Sequence, residues 1–114
     1  MAATVIQIRE ILKDIRTVLY ECSVGNDRSL MKRMNATMIC NTSNAEVLIY
    51  ILITDAKYNK TNPIKGAIYF GLPIDPNETI TLPNRILKEG DCIEAYASVK
   101  DVISFVTDIE NYNE

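Results

Sequence analysis

A cluster of acidic residues near the C-terminal end is the first candidate for chemistry. Glu89, Asp91 and Glu94 lie close together in the sequence, and a pair of carboxylates is what glycoside hydrolysis requires. They flank a turn at Gly90, since Glu-Gly-Asp is typical of a tight turn with glycine at positive φ, so we expect them to stay solvated. The chain has no histidine, the most frequent general base. The sequence therefore predicts no catalytic residue and no enzyme activity.

Three cysteines are the second candidate, as metal ligands. Cys22, Cys40 and Cys92 are far apart and lack Cys-x-x-Cys spacing. We expect thiols that are buried and pack as small hydrophobic side chains, with a disulfide or a zinc site as the alternative. The sequence also lacks glycine-rich phosphate-binding motifs and the ligand spacing of a calcium loop. It predicts no metal, no cofactor and no small-molecule substrate.

Aromatic and basic residues offer binding rather than catalysis. Four of the six tyrosines fall within predicted strands, where packing in the core or an interface is expected and a carbohydrate-stacking surface is the alternative. The longest predicted loop covers residues 56–66, and long loops on a rigid sheet often carry binding residues. The candidate binding residues in this loop are Lys57, Tyr58, Lys60 and Lys65.

The charges are divided unevenly along the chain. Residues 1–65 hold nine Lys and Arg against six Asp and Glu, while residues 66–114 hold three against nine, within a net charge of −3. We expect the basic first part and the acidic second part of adjacent subunits to face each other, with scattered solvated charges as the alternative. The densest basic group, Arg28, Lys32 and Arg33, has no interleaved aromatic residue, so no nucleic-acid partner is predicted.

The apolar runs are too short for a membrane span. The longest, Val47–Ile53, falls far below the ~20 residues that a transmembrane helix needs. The N-terminal residues lack a basic segment followed by an apolar core, so we expect no secretory signal. The sequence predicts a protein made in the cytoplasm, with no membrane partner.

The stretch Met34–Asp55 carries the strongest structural signal. Apolar residues recur at every second position before residue 41, and Asn41–Asn44 then supplies four turn-forming residues. Val47–Ile53 follows as a run typical of a strand covered on both faces. The sequence predicts a β-hairpin at the centre of the fold. The residues expected on its buried face before the turn are Met34, Ala36, Met38 and Cys40.

The rest of the chain repeats short strand patterns between polar turns. Strands are predicted over 15–22, 29–40, 67–72, 79–82, 92–99 and 102–109. Ile93, Ala95, Ala97 and Val99 are expected on one face of their strand. Seven or eight strands at this spacing predict an all-β fold, an antiparallel β-sandwich of jelly-roll or immunoglobulin-like type.

The N-terminal segment is predicted to lie outside that sandwich. Residues 1–14 are expected to form an arm, extended or as a short helix, before a domain over 15–109 and a frayed tail over 110–114. We expect the arm to pack on a neighbouring copy or on another protein. Its candidate assembly contacts are Val5, Ile6, Ile8, Ile11 and Leu12.

Five segments in this order carry a family resemblance. They are Val18-Leu19-Tyr20, the turn at Val24-Gly25, Ile39-Cys40-Asn41-Thr42-Ser43, Ile80-Thr81-Leu82 and the run from Leu87 to Ser98. Together they resemble a family of small tailed-bacteriophage virion proteins over residues 17–109. The sequence departs from the family pattern at the first turn, where Ser23 replaces a proline and Gly25-Asn26-Asp27 replaces Ala-Gly-Lys.

The resemblance implies a β-sandwich without enzyme activity that assembles in the virion, in the tail, neck, baseplate or a head attachment. The expected partners are further copies of the chain, as a homo-oligomer, and other virion proteins. The alternative is a small binding module on a virion fibre or tip that contacts carbohydrate or a host receptor through the loop of residues 56–66.

Overall fold

Nine β-strands make up most of the part of the chain that the structure, a computed structural model, describes: residues 5–22, 31–55 and 66–112. The strands are β1 (Val5–Ile11), β2 (Thr17–Glu21), β3 (Met31–Asn41), β4 (Val47–Asp55), β5 (Ala67–Ile74), β6 (Thr79–Leu82), β7 (Arg85–Leu87), β8 (Asp91–Ala97) and β9 (Ile103–Tyr112). The short, β-branched, proline-bounded segments of the sequence favour strands of this length.

The strands form two antiparallel sheets. Sheet A has the order β1-β9-β3-β6, with β7 also paired to β3, and sheet B has the order β2-β8-β4-β5. The predicted all-β antiparallel sandwich is confirmed, with nine strands instead of seven or eight. In the described part of the chain no segment is an α-helix.

The chain folds back on itself about its middle. β1 pairs with β9, β2 with β8, β3 with β6 and β7, and β4 with β5. Each pair therefore joins a strand of the first half to a strand of the second half. Further pairing of β9 with β3 and of β8 with β4 completes the two sheets. The two halves of the sequence are neighbours throughout the fold.

The core lies between the two sheets. Ile51 of β4 is 1% exposed, and Phe105 of β9 is fully buried in the same cluster. The predicted alternation of β8 is confirmed for Ile93, Ala95 and Ala97, which are all buried. Val99 lies beyond the end of β8 and is 47% exposed, because the chain turns away from sheet B after Ala97.

The predicted central hairpin is wrong, although β3 and β4 are both interior strands. β3 belongs to sheet A and β4 to sheet B, so the turn after Asn41 carries the chain across the sandwich. The Asn41 side chain is fully buried and donates to the carbonyl oxygens of Ala45 at 2.8 Å and Ile74 at 3.0 Å. Its Oδ1 accepts from the Ser43 backbone N–H at 3.0 Å. These bonds direct the turn toward β5, away from a hairpin with β3.

The expected alternation along β3 holds only at Met34. Ala36 has a φ of 53°, and the pairing with β9 shifts between Asn35 and Met38. Such a bulge moves every later side chain to the opposite face. Thr37 and Ile39 are consequently buried while Met38 is 46% exposed. The prediction was wrong because it assumed a regular strand, and the alternation of apolar and polar residues in the sequence does not reveal the bulge.

The N-terminal segment is part of the domain over the residues that the structure describes. Residues 5–11 pair with β9 along their whole length, and the Leu12 N–H donates to the Ile103 carbonyl at 2.9 Å. Leu12 is 1% exposed in the core. The arm boundary at residue 14 is therefore corrected, because β9 offers a free edge that β1 fills. β9 also continues to Tyr112, past the predicted domain end at 109.

Two predicted turns are confirmed. Gly90 has a φ of 91°, and the Asp91 N–H donates to the Lys88 carbonyl at 3.0 Å. In the turn after β5, the Glu78 N–H donates to the Asp75 carbonyl at 3.0 Å across Pro76. β5 also extends to Ile74 instead of ending before Pro73, because an edge strand tolerates a residue without an N–H.

Candidate interaction surface

Three aromatic side chains form a cluster on the outer face of sheet B. Tyr50 of β4 lies opposite Tyr96 of β8 on one side and Phe70 of β5 on the other. The Tyr50 and Tyr96 rings stack at 4.4 Å between centroids and 4° between planes, while Phe70 meets Tyr50 edge-on at 4.9 Å and 82°. Phe70 is 57% exposed. We call these three residues the aromatic cluster.

Strand alternation explains why the cluster faces outward. Ile49 and Ile51, which flank Tyr50, are buried in the core, so Tyr50 points to the other side of the sheet. The same holds for Tyr96 between two inward-facing residues of β8. The sequence of β8 contains this signal, because Ile93, Ala95 and Ala97 define its inner face. The prediction for the tyrosines, packing in the core or an interface, did not use it.

A bulge at Gly71 places Phe70 beside Tyr50. Ile49 pairs with Leu72 and Tyr50 with Phe70, so Gly71 is the extra residue of β5. Its φ is +81°, a conformation that L side chains rarely adopt. Without the bulge, a one-residue shift would turn Phe70 to the other face of β5.

An ionic cluster lies on the same face. The Arg16 Nε is 2.8 Å from Glu94 Oε1, and the Thr54 hydroxyl donates to Glu94 Oε2. Glu94 is only 8% exposed, so the expectation that it stays solvated is wrong. Its position in an interior strand buries it, and a buried carboxylate needs such partners. We call these three residues the Glu94 cluster.

The titration of neighbouring groups reflects their burial. Burial raises the pKa of Tyr96 above 10.0; repulsion from Tyr50 raises it further, and Arg16 lowers it. Burial, followed by the negative charges of Asp91 and Glu89, raises the pKa of Cys22 to about 11. Both groups are therefore protonated at neutral pH, and a protonated thiol is a poor nucleophile.

Cys22, Cys40 and Cys92 form no disulfide with one another. Cys22 is 1% exposed and belongs to the core cluster, as the sequence predicts, whereas Cys40 and Cys92 are only partly buried. Among the residues that the structure describes, no group of three His, Cys, Asp or Glu side chains is placed to hold a metal ion. In the same residues, no helix is long and apolar enough to cross a membrane.

The candidate assembly contacts separate into two environments. Ile6 and Ile11 are 45% and 62% exposed, whereas Ile8 packs against the core and Leu12 lies inside it. Val5 pairs with Glu110 through its backbone. The candidate loop residues Lys57, Tyr58, Lys60 and Lys65 lie outside the described residues.

The charge division acts within one chain. Arg16 pairs with Glu94, and the Arg33 Nε donates to Glu110 Oε1 at 2.6 Å. Each pair joins a basic residue of the first half to an acidic residue of the second half. The folding of the chain about its middle produces these contacts, so the charge asymmetry does not by itself require a second subunit.

The segments that carry the family resemblance occupy structural positions. Asn41 holds the turn between the sheets, and the Leu48 N–H donates to the Ser98 hydroxyl at 3.0 Å. Comparison with protein-family models, curated proteins and solved structures finds no match for this chain. The resemblance to bacteriophage virion proteins therefore stays a prediction.

Proposed function

We propose that this chain is a non-enzymatic structural protein of a bacteriophage virion, present in repeated copies in the tail, neck, baseplate or head attachment. The observation that carries the assembly role is the aromatic cluster, an outward-facing apolar surface on a rigid sheet. The segments that resemble bacteriophage virion proteins are the reason for proposing that this assembly takes place in a virion. The outer face of sheet B is then the surface that contacts another virion protein.

The strand order supports a jelly-roll topology. In an immunoglobulin-type sandwich the first two strands neighbour each other in one sheet, whereas β1 and β2 lie in different sheets here. Pairing of first-half with second-half strands gives the rolled ribbon of a jelly roll, which occurs in viral capsid and lectin domains. Because one fold serves many functions, this order adds support without deciding the function.

The chemistry of the aromatic cluster suits a protein partner. Tyr96 covers one side of the Tyr50 ring and Phe70 approaches the other. A sugar stacks on an open ring face, and the Tyr96 ring already occupies one of the two faces of Tyr50. Aromatic residues are enriched at protein–protein interfaces, where apolar area is buried without loss of hydrogen bonds. Val18, 55% exposed in the neighbouring β2, lies opposite Glu94 on the same outer face.

Quantitative mass spectrometry of purified particles tests the proposal. The expected result is a fixed number of copies per particle, and Phe70→Asp should strongly reduce incorporation because it places a charge in the proposed contact. Met38→Asp is the matched control, since Met38 is 46% exposed on the outer face of sheet A. Particles that lack the protein would overturn the virion role, while equal incorporation of both variants would overturn the assignment to sheet B.

A binding module for carbohydrate or a host receptor is the second candidate. It is favoured by the lectin domains that share the jelly roll and by the exposed ring of Phe70. A glycan array tests this candidate. Saturable binding that is lost in Phe70→Ala or Tyr58→Ala would support it over the first candidate, provided that Phe70→Asp does not reduce incorporation into particles.

A further inference from the structure

The four edges of the two sheets differ in how they are protected. Exposed edge strands present unpaired backbone groups, and proteins blunt them with bulges, prolines and short strands. β2 has five residues and a bulge between Val18 and Tyr20. β5 contains the Gly71 bulge and Pro73. The edge opposite β1 in sheet A is broken into β6 and β7, of four and three residues, on either side of Pro83.

β1 has none of these devices. Its seven residues pair with β9 without a register shift, from Val5 opposite Glu110 to Ile11 opposite Ser104. It contains neither proline nor glycine. Its outer edge faces no other strand within the described part of the chain, and Ile6 and Ile11 expose 45% and 62% of their surface.

The hydrogen-bond pattern shows which backbone groups of β1 point away from β9. The Leu12 N–H donates to Ile103 at 2.9 Å, and antiparallel bonding alternates along a strand. Glu10, Ile8 and Ile6 consequently bond toward β9. The N–H and C=O groups of Gln7, Arg9 and their like-facing neighbours point toward the outer edge and are ready to pair with another strand.

We propose that the β1 edge pairs with β1 of a second copy, antiparallel and about a two-fold axis at Ile8, so that two five-stranded sheets join into one. This inference rests on the homo-oligomeric assembly proposed above. In that register Gln7 lies opposite Arg9 of the second copy and Val5 lies opposite Ile11. The outward-pointing backbone groups of each strand then bond one another, as the wide and narrow pairs of an antiparallel ladder require.

The sequence of β1 favours this register over its neighbours. An axis at Arg9 would set two guanidinium groups directly opposite each other, and like charges in that position repel. An axis at Gln7 would set Glu10 and Ile11 opposite residues 4 and 3, outside the described strand. The axis at Ile8 uses all seven residues, places each Arg9 beside an amide and sets Ile8 against Ile8. The contact is self-complementary, as two-fold interfaces are.

Disulfide trapping tests the register. In the proposed pairing the two Ile8 Cα atoms lie about 4.5 Å apart, within the range that a disulfide spans. Ile8→Cys should therefore form a covalent dimer under mild oxidation. Ile6→Cys is the matched control on the same face, because the two Ile6 positions would be about 13 Å apart. Wild-type protein gives the background from the three native thiols. Equal cross-linking of all three proteins, or none, would overturn the register.

Sedimentation velocity on the full chain tests the edge itself. Wild-type protein should be a concentration-dependent dimer, and Arg9→Pro should be a monomer, since proline removes an outward N–H without breaking a bond to β9. Arg9→Ala keeps that N–H and should keep most of the dimer. Circular dichroism confirms that each variant is folded. A monomeric wild type, or an Arg9→Pro dimer as tight as wild type, would overturn the proposal.

These outcomes are separable from those of the proposed function. A β1 dimer of a protein that is absent from purified particles would overturn the virion role and leave the edge pairing standing. A protein found in particles at fixed copy number, with Arg9→Pro incorporated as well as wild type and no dimer in solution, would overturn the edge pairing alone.

Discussion

The outer faces of the two sheets differ in what crosses between their strands. On sheet A the contacts are polar: Glu110 accepts from Arg33 and, at 3.4 Å, from Asn35, while Gln7 donates to Asp108 at 3.1 Å. On sheet B the central contacts are ring to ring, between Tyr50, Tyr96 and Phe70. The inner faces of both sheets line the same core, so the contrast between the sheets lies in their outer faces.

The difference supports the proposal that the outer face of sheet B, and not that of sheet A, contacts a protein partner. An antiparallel sheet with one buried face ordinarily turns polar residues outward, and sheet A does so between its central strands, although Ile11, Met38 and Ile86 are also exposed there. Sheet B departs from that pattern along its middle strands. A departure of this kind marks an interaction surface more often than chance placement of single apolar residues does.

The comparison depends first on the alternation along β4, and the largest effect tests it. Ile51→Ala should lower the free energy of unfolding by about 2–5 kcal/mol, because Ile51 is 1% exposed and its truncation leaves a cavity in the core. Met38→Ala, on the outer face of sheet A, should change it by about 0.5 kcal/mol or less. Urea titration measures both. A loss below about 1 kcal/mol for Ile51→Ala would place this side chain outside the core.

The two ion pairs, one on each outer face, allow the burial of charge on the two sheets to be compared, with smaller expected losses of stability. Arg16→Ala should cost about 2–3 kcal/mol, because it leaves Glu94, 8% exposed, without its cation. Arg33→Ala on sheet A should cost about 1 kcal/mol, since its partner Glu110 exposes 18% of its side chain against 11% for Glu94, and water can better replace the lost cation. Thermal unfolding at low and high salt measures both losses. Equal losses with equal salt dependence would mean that the two faces do not differ in burial of charge.

The bulge in β5 is the next test, because it aims Phe70 at Tyr50. Gly71→Ala should destabilise by about 1 kcal/mol or more, since an L side chain resists a φ of +81° and the nearest atoms of Tyr50, at 3.8 Å, leave room for the methyl group. Gly71→Asn should cost less, because asparagine tolerates positive φ better. Near-ultraviolet circular dichroism reports the cluster. A stabilised Gly71→Ala protein would show that the bulge is not maintained.

Local patterns sufficed for the elements that depend on near neighbours. The apolar run of β4, the alternation of Ile93, Ala95 and Ala97, and the positive φ of Gly90 follow from residue types within a few positions. The fold class follows from strand length and turn spacing. Each of these features is set by contacts that a short window of sequence contains.

Features set by distant partners were not predictable. The residues around Asn41 have the pattern of a hairpin turn. The Asn41 side-chain amide instead donates to the carbonyl oxygen of Ile74, which is far along the chain and invisible to a local pattern. Residues 5–11 alone have the pattern of an arm, and they form an edge strand because β9 pairs with them. The bulge at Ala36 turns Thr37 inward, where its hydroxyl forms a hydrogen bond with the Thr107 hydroxyl at 2.7 Å between the two oxygens. The aromatic cluster likewise needed the pairing of β8, β4 and β5 before its members became neighbours.

The smallest expected effect, a change in the pKa of Tyr96, tests the contacts of the aromatic cluster directly. Burial, and then repulsion between the phenolates of Tyr96 and Tyr50, raises the pKa of Tyr96, while Arg16 lowers it. Tyr50→Phe should therefore lower the pKa of Tyr96 toward 10.0, and Arg16→Ala should raise it. Carbon-13 labelling of the tyrosine rings allows each ring to be followed by NMR as the pH rises. Tyr69→Phe is the control, because Tyr69 packs toward the core.

The same shift fixes the sign of the pH dependence. Because the folded pKa of Tyr96 lies above that of the unfolded chain, the unfolded state loses its proton first as the pH rises. The stabilising contribution is therefore complete below about pH 10 and is lost as the pH rises through the folded pKa. Tyr96→Phe should flatten this alkaline decline and Tyr69→Phe should leave the Tyr96 contribution in place. A Tyr96 pKa that moves in neither Tyr50→Phe nor Arg16→Ala would separate Tyr96 from both neighbours and remove the stacked pair on which the contrast between the two faces depends.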